Sequence, residues 1–97
     1  METILIVDDE PNIRDVLRWP LAEAGFNVVE ANNGNEAIEQ FPAVAPDLLI
    51  LDIMMPEMDG TEVCRKIRQT SDVPIIFLSA KAQDIDKIIG LEIGGDD

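Results

Sequence analysis

A doubly wound α/β fold around a parallel sheet is what this 97-residue sequence predicts, on three observations. Ile4-Leu5-Ile6-Val7, Leu48-Leu49-Ile50-Leu51 and Ile75-Ile76-Phe77-Leu78 are continuous apolar runs closed by polar residues, the pattern of strands covered on both faces. Segments of helical periodicity separate them. Finally, the order β-α-β-α-β-α-β-α with right-handed crossovers leads to an open sheet with helices on both sides.

Each element has its own signal. After the first strand, Ile13, Val16, Leu17, Leu21 and Ala24 fall on one face at helical spacing, with Gly25 as the stop. Within that helix Pro20 sits four residues after Val16, where a proline removes a backbone bond at a cost of roughly 3 kcal/mol. A kink or early end near residues 16–20 is therefore expected, with Trp19 off the stripe and exposed. Asn27-Val28-Val29-Glu30-Ala31 is shorter and more polar than the other strands, as suits an edge. A second helix, Asn35 to Phe41, follows the Asn-Asn-Gly turn and is expected to stop before Pro42. Gly60 or Thr61 opens a third, with Val63, Cys64 and Ile67 inward and Arg65, Lys66 and Arg68 near its C-terminus, where cations suit the helix dipole. Ile85, Ile88 and Ile89 mark a fourth, ending at Gly94-Gly95.

Composition narrows the function classes. Seven basic and 20 acidic residues give a net charge of −13, so nucleic acid and anionic membranes repel this chain. Apolar residues make up 46% and are grouped into runs, which disordered acidic chains lack. With no His and one Cys, His–metal sites, Ser–His–Asp triads and internal disulfides are out. No apolar run approaches membrane-spanning length, and Met1-Glu2-Thr3 lacks the basic start and apolar core of a signal peptide, so a cytoplasmic domain is expected.

In doubly wound sheets ligands bind beyond the carboxyl ends of the strands. The residues that end the strands are Asp8, Asp9 and Glu10 after the first, Asp52 after the third and Ser79 after the fourth. Carboxylates gathered there repel one another unless a cation fills the space. Oxygen donors without His or thiolate suit a hard cation, and few protein ligands with room for water favour Mg2+ over Ca2+. A carboxylate beside Mg2+ can attack phosphorus, so the edge reads as a Mg2+ pocket able to accept or cleave phosphate. For Asp8 and Asp9 the competing role is N-capping of the helix that Pro11 opens. Ser79 has the competing role of an ordinary strand-end hydroxyl.

Asp8-Asp9-Glu10-Pro11, Asp52-Ile53-Met54-Met55-Pro56-Glu57-Met58-Asp59-Gly60 and Leu78-Ser79-Ala80-Lys81 resemble, in order and spacing, the receiver (CheY-like) domain of two-component response regulators. The resemblance covers essentially the whole chain, 1–97, as one receiver domain, and implies the flavodoxin-like strand order 2-1-3-4. It implies Asp52 as phosphoacceptor from a sensor histidine kinase. Mg2+ would be held by Asp9, Asp52 and the Met54 backbone carbonyl, with Asp8 acting through a water. Ser79 would contact the phosphoryl group, and Pro56 and Gly60 would shape the loop. The implied part is a phosphoacceptor switch and not a turnover enzyme.

The family pattern continues into a fifth βα unit, on the order of 20–30 residues, which this sequence stops short of. The family's phosphate-binding lysine lies after that fifth strand. Lys81 follows the fourth and is a poor substitute. Two other readings follow. One is an interaction fragment unable to be phosphorylated; the other is an Asp-nucleophile Mg2+ phosphohydrolase, which usually carries a second Asp where this chain has Met54. An unpaired apolar fourth strand also invites self-association or strand exchange. The isolated chain is therefore expected to be marginally stable or self-associated, and a sharp two-state melt from a concentration-independent monomer would contradict it.

Overall fold

A computed structural model describes residues 2–78 of the chain. Four parallel strands, β1 (Thr3–Val7), β2 (Asn27–Ala31), β3 (Leu48–Asp52) and β4 (Ile75–Leu78), lie in the order β2-β1-β3-β4. Three helices connect them: α1 (Pro11–Glu23), α2 (Gly34–Val44) and α3 (Gly60–Arg68). The predicted fourth helix lies outside the described residues. Among the described residues, no helix is long and apolar enough to cross a membrane.

Strand alternation splits the core into two layers. Leu5, Val7, Leu49, Leu51, Ile75 and Phe77 point toward α2 and α3, where they pack with Ala37, Val63 and Ile67. Ile4, Ile6, Ile50 and Leu78 point the other way, toward Ile13, Leu17 and Leu21 of α1. Both faces of β1 and β3 are thus buried, which explains why their sequences are continuous apolar runs. Polar contacts pin the amino ends of the strands: the Thr3 N–H donates to Asp47 Oδ2 at 2.8 Å, and the Asp47 N–H donates to the Thr3 carbonyl at 2.7 Å.

Two helix ends expected at prolines need correction. α1 does not end near Pro20 but continues to Glu23. The face it packs is narrower than the sequence stripe: Ile13, Leu17 and Leu21 form a straight i, i+4, i+8 row, while Val16 and Pro20 lie one row round and are exposed. The carbonyl that Pro20 leaves without an N–H is Val16's, and that side of the helix faces solvent. Trp19, 65% exposed, is off the stripe as expected. Gly25, at φ +100°, supplies the stop, with the Phe26 N–H donating to the Leu21 carbonyl at 3.1 Å.

α2 likewise starts one residue earlier than expected, after an Asn33 cap, and runs through Pro42 to Val44. Pro42 stands in the last turn, where it removes one bond, while Ile38 and Phe41 hold the helix to the core. The Ala45 N–H closes the helix on the Phe41 carbonyl at 2.8 Å. Ala45 does so in the left-handed region, at φ 46°, a conformation that costs a non-glycine residue roughly 1–2 kcal/mol. Ala45→Gly should therefore raise stability by about 1 kcal/mol, visible as a higher urea midpoint at unchanged m-value.

Candidate metal and phosphoacceptor site

The register Val7↔Leu51 between β1 and β3 brings the next residues, Asp8 and Asp52, side by side at the carboxyl edge of the sheet. Asp8 extends the β1 ladder by one bond, its N–H donating to the Ala31 carbonyl at 3.2 Å. Asp52 is the last residue of β3, paired with Leu78. Both are buried, whereas Asp9 is exposed. Carboxylate oxygens of Asp8, Asp9 and Asp52 all lie within 4.8 Å of one another. Of the carboxylates that end the strands, Asp8, Asp9 and Asp52 therefore converge, while Glu10 is outside the group. Ser79 lies outside the described residues.

Capping does not account for the pair. The residue that caps α1 is Glu10, which makes no side-chain cap bond, and Pro11 occupies the first turn. Asp8 Oδ1 instead accepts the Glu10 N–H at 2.9 Å, which turns the chain away from the strand. On the other side of the pocket, Asp52 Oδ1 accepts the Met54 N–H at 3.1 Å. Met54 is therefore adjacent to the acidic cluster, with its side chain exposed.

Past Asp52, the loop folds back under the strand end. The Gly60 N–H donates to the Ile53 carbonyl at 3.0 Å. A Cβ on Gly60 would collide with the Asp52 carbonyl and come within 2.8 Å of Ile53 Cα, so only glycine admits this approach. Asp59 caps α3, its Oδ1 accepting from the Thr61 hydroxyl at 2.7 Å and the Glu62 N–H at 3.0 Å. Those bonds hold its carboxyl below the ordinary range, and Asp59 takes no part in the acidic cluster. Between cap and strand, Glu57 adopts φ 70° and the Met58 N–H reaches back to the Pro56 carbonyl at 2.7 Å, a three-residue turn.

Electrostatics follow from this crowding. Burial pushes Asp52 up to about 7, with the charges of Asp8 and Asp9 adding to the effect. Burial likewise lifts Asp8 to about 6; the Glu10 N–H opposes this, and the charge of Asp9 reinforces it. Three clustered carboxylates with no His or thiolate among their donors are a set that suits a hard divalent cation.

One residue at this edge carries no motif signal of its own. Arg14 donates from Nη1 to the Asp8 carbonyl at 2.7 Å and from Nε to Glu30 at 2.8 Å. The one available hint was composition: Arg14 and Arg18 are the only basic residues before position 49.

Comparison with known proteins agrees with this geometry. Residues 4–97 match the family model of the response regulator receiver domain. A curated relative, the "Probable transcriptional regulator ycf27" of Guillardia theta, is 52% identical over 96 residues, which is 99% of this chain and 38% of the relative. This chain thus spans well under half the length of that protein. Among solved structures, the response regulator TrrA from Thermotoga maritima in complex with Mg2+-BeF superposes with a TM-score of 0.78 at 44% identity, covering 91% of this chain and 77% of that one. The complex of histidine kinase ThkA with TrrA contains a chain matched with a TM-score of 0.76 at 48% identity, covering 82% of this chain and 70% of that one.

The raised carboxyl groups set the sign of a pH effect. Below about pH 4, folded and unfolded chains both hold these protons. As pH rises toward 6 and then 7 the unfolded chain has released them while folded Asp8 and Asp52 retain theirs, so metal-free stability should fall across that window. Asp52→Asn should flatten the decline and raise stability at pH 8 by on the order of 1 kcal/mol, allowing for screening by water. Urea unfolding at pH 5 and pH 8 in chelator checks both.

Proposed function

The chain belongs to the response regulator receiver family, and on that footing we propose that it is the phosphoacceptor switch of a two-component phosphorelay, with Asp52 as acceptor and a sensor histidine kinase as donor. The observation that carries this reading is the convergence of Asp8, Asp9 and Asp52 at one sheet edge, with Asp52 buried at the end of β3. A carboxylate oxygen of Asp52 attacks the phosphorus of a phosphohistidine. The new O–P bond forms as the P–N bond breaks, and the electron pair returns to the imidazole nitrogen, leaving an aspartyl phosphate on this chain. The Met54 N–H on Asp52 Oδ1 orients the carboxylate for that approach.

Asp9, Asp52 and the Met54 backbone carbonyl are the residues proposed to hold Mg2+, with Asp8 acting through a water. The ion, when bound, supplies positive charge to the pocket and to the incoming phosphoryl oxygens. Ser79 is assigned the phosphoryl contact by resemblance. Similarity to a probable transcriptional regulator supports a role as input to an output of that kind, in the cytoplasm where a kinase could reach it. A net charge of −13 argues against DNA binding by these 97 residues themselves. The switch is loaded and unloaded, and it does not turn over an external substrate.

Incubation with acetyl phosphate and Mg2+ tests this reading. One phosphoryl group per chain is expected by intact mass, lost in Asp52→Asn and in chelator. Multiple turnover of an unrelated phosphoester would instead support a phosphohydrolase, and Mg2+ binding without labelling would support an interaction fragment.

A further inference from the structure

Arg14 joins three elements just behind the acidic pocket. It lies in α1 with its side chain only 13% exposed, and its Nε pairs with Glu30 Oε1 of β2 at 2.8 Å. Its Nη1 donates to the Asp8 carbonyl, at the end of β1, at 2.7 Å. The other Glu30 oxygen accepts from Arg18 Nε at 2.9 Å, so Glu30 is gripped from two successive turns of α1. The carbonyl that Arg14 holds belongs to the peptide joining Asp8 to Asp9. Fixing that peptide fixes the directions in which both carboxylates leave the chain. Because Glu30 already opposes the guanidinium charge, Arg14 acts on the pocket through geometry more than by neutralising it. A planar guanidinium can serve the carboxylate and the carbonyl together from adjacent nitrogens, which a lysine ammonium does poorly.

We infer that Arg14 is a positioning residue for the acidic pocket: anchored by Glu30, it orients the Asp8–Asp9 peptide so that both carboxylates face Asp52, and so sets the affinity for a divalent cation. This inference rests on reading the pocket as a Mg2+ site. It goes beyond that reading by assigning a residue that is not itself a ligand.

Calorimetric Mg2+ titration of the 97-residue chain tests it, with Arg14→Met, Arg14→Lys and Glu30→Gln compared with the parent and thermal melts run alongside. Outer groups that orient metal ligands typically carry about 10–100-fold in affinity, so Arg14→Met should weaken Mg2+ binding by about tenfold. Arg14→Lys should recover less than half of that on a logarithmic scale, and Glu30→Gln should weaken binding several-fold. In acetyl phosphate labelling, the Mg2+ concentration for half-maximal rate should rise while the rate at saturating Mg2+ stays near the parent's. A purely structural role would shift the melts and leave the Mg2+ midpoint in place. Folded Arg14 variants that bind Mg2+ within twofold of the parent overturn the inference; if Arg14→Met does not fold, unchanged affinity in Arg14→Lys and Glu30→Gln overturns it equally. A parent chain that binds no Mg2+ overturns the metal reading itself, and the inference with it.

Discussion

The parallel register that sets Val7 beside Leu51 is the constraint on which the functional edge depends. Each strand of this central pair has its two faces committed to different layers, Leu5, Val7, Leu49 and Leu51 to one and Ile4, Ile6 and Ile50 to the other. A slip of one residue would turn every one of these side chains to the opposite layer. Burying an aliphatic side chain is worth about 1.5–3 kcal/mol, so the combined preference for one register far exceeds the repulsion among the carboxylates. The acids are thus forced together by a core that gains nothing from their contact.

The two layers are unequal. On the α2 and α3 side, Ala37, Val63 and Ile67 are fully buried against the sheet. On the other side none of the thirteen α1 residues is fully buried, and the helix is held by a single row of partly buried side chains. Polar contacts make up part of the difference, because Arg14 and Arg18 both reach Glu30 on β2. Exposed ion pairs contribute little, but the Arg14 pair is largely shielded and shares its guanidinium with a backbone carbonyl. The helix nearest the acidic edge is therefore tied to it by hydrogen bonds as much as by packing.

The pocket keeps a standing electrostatic debt. Asp8 and Asp52 are pushed toward holding protons at neutral pH, while the N–H groups of Glu10 and Met54 each satisfy one carboxylate oxygen. Any ligand that brings positive charge relieves burial and repulsion together, which couples cation binding to stability. Gly60 matters for the same reason at a different point: without a side chain it lets the start of α3 close directly beneath Asp52 and seat that residue at the strand end.

Much of this was legible in one dimension. The apolar runs, the order of elements and the acids ending the strands are local patterns, and local patterns dictate secondary structure and which residues can share an edge. Two prolines misled because propensity acts residue by residue while packing acts on whole helices: the row through Leu17 and Leu21 holds α1 across Pro20, and Pro42 falls in the last turn of α2, just past the Ile38 and Phe41 anchors, where it removes a single bond. Arg14 was invisible for a related reason. Its partners, Glu30 and the Asp8 carbonyl, are joined to it only once β1, α1 and β2 are assembled. Sequence alone determined the chemistry available at the sheet edge. Tertiary structure decided its arrangement, because the distances among Asp8, Asp9 and Asp52, and the hold of Arg14 on the peptide between the first two, depend on strand register and helix docking that no single segment encodes.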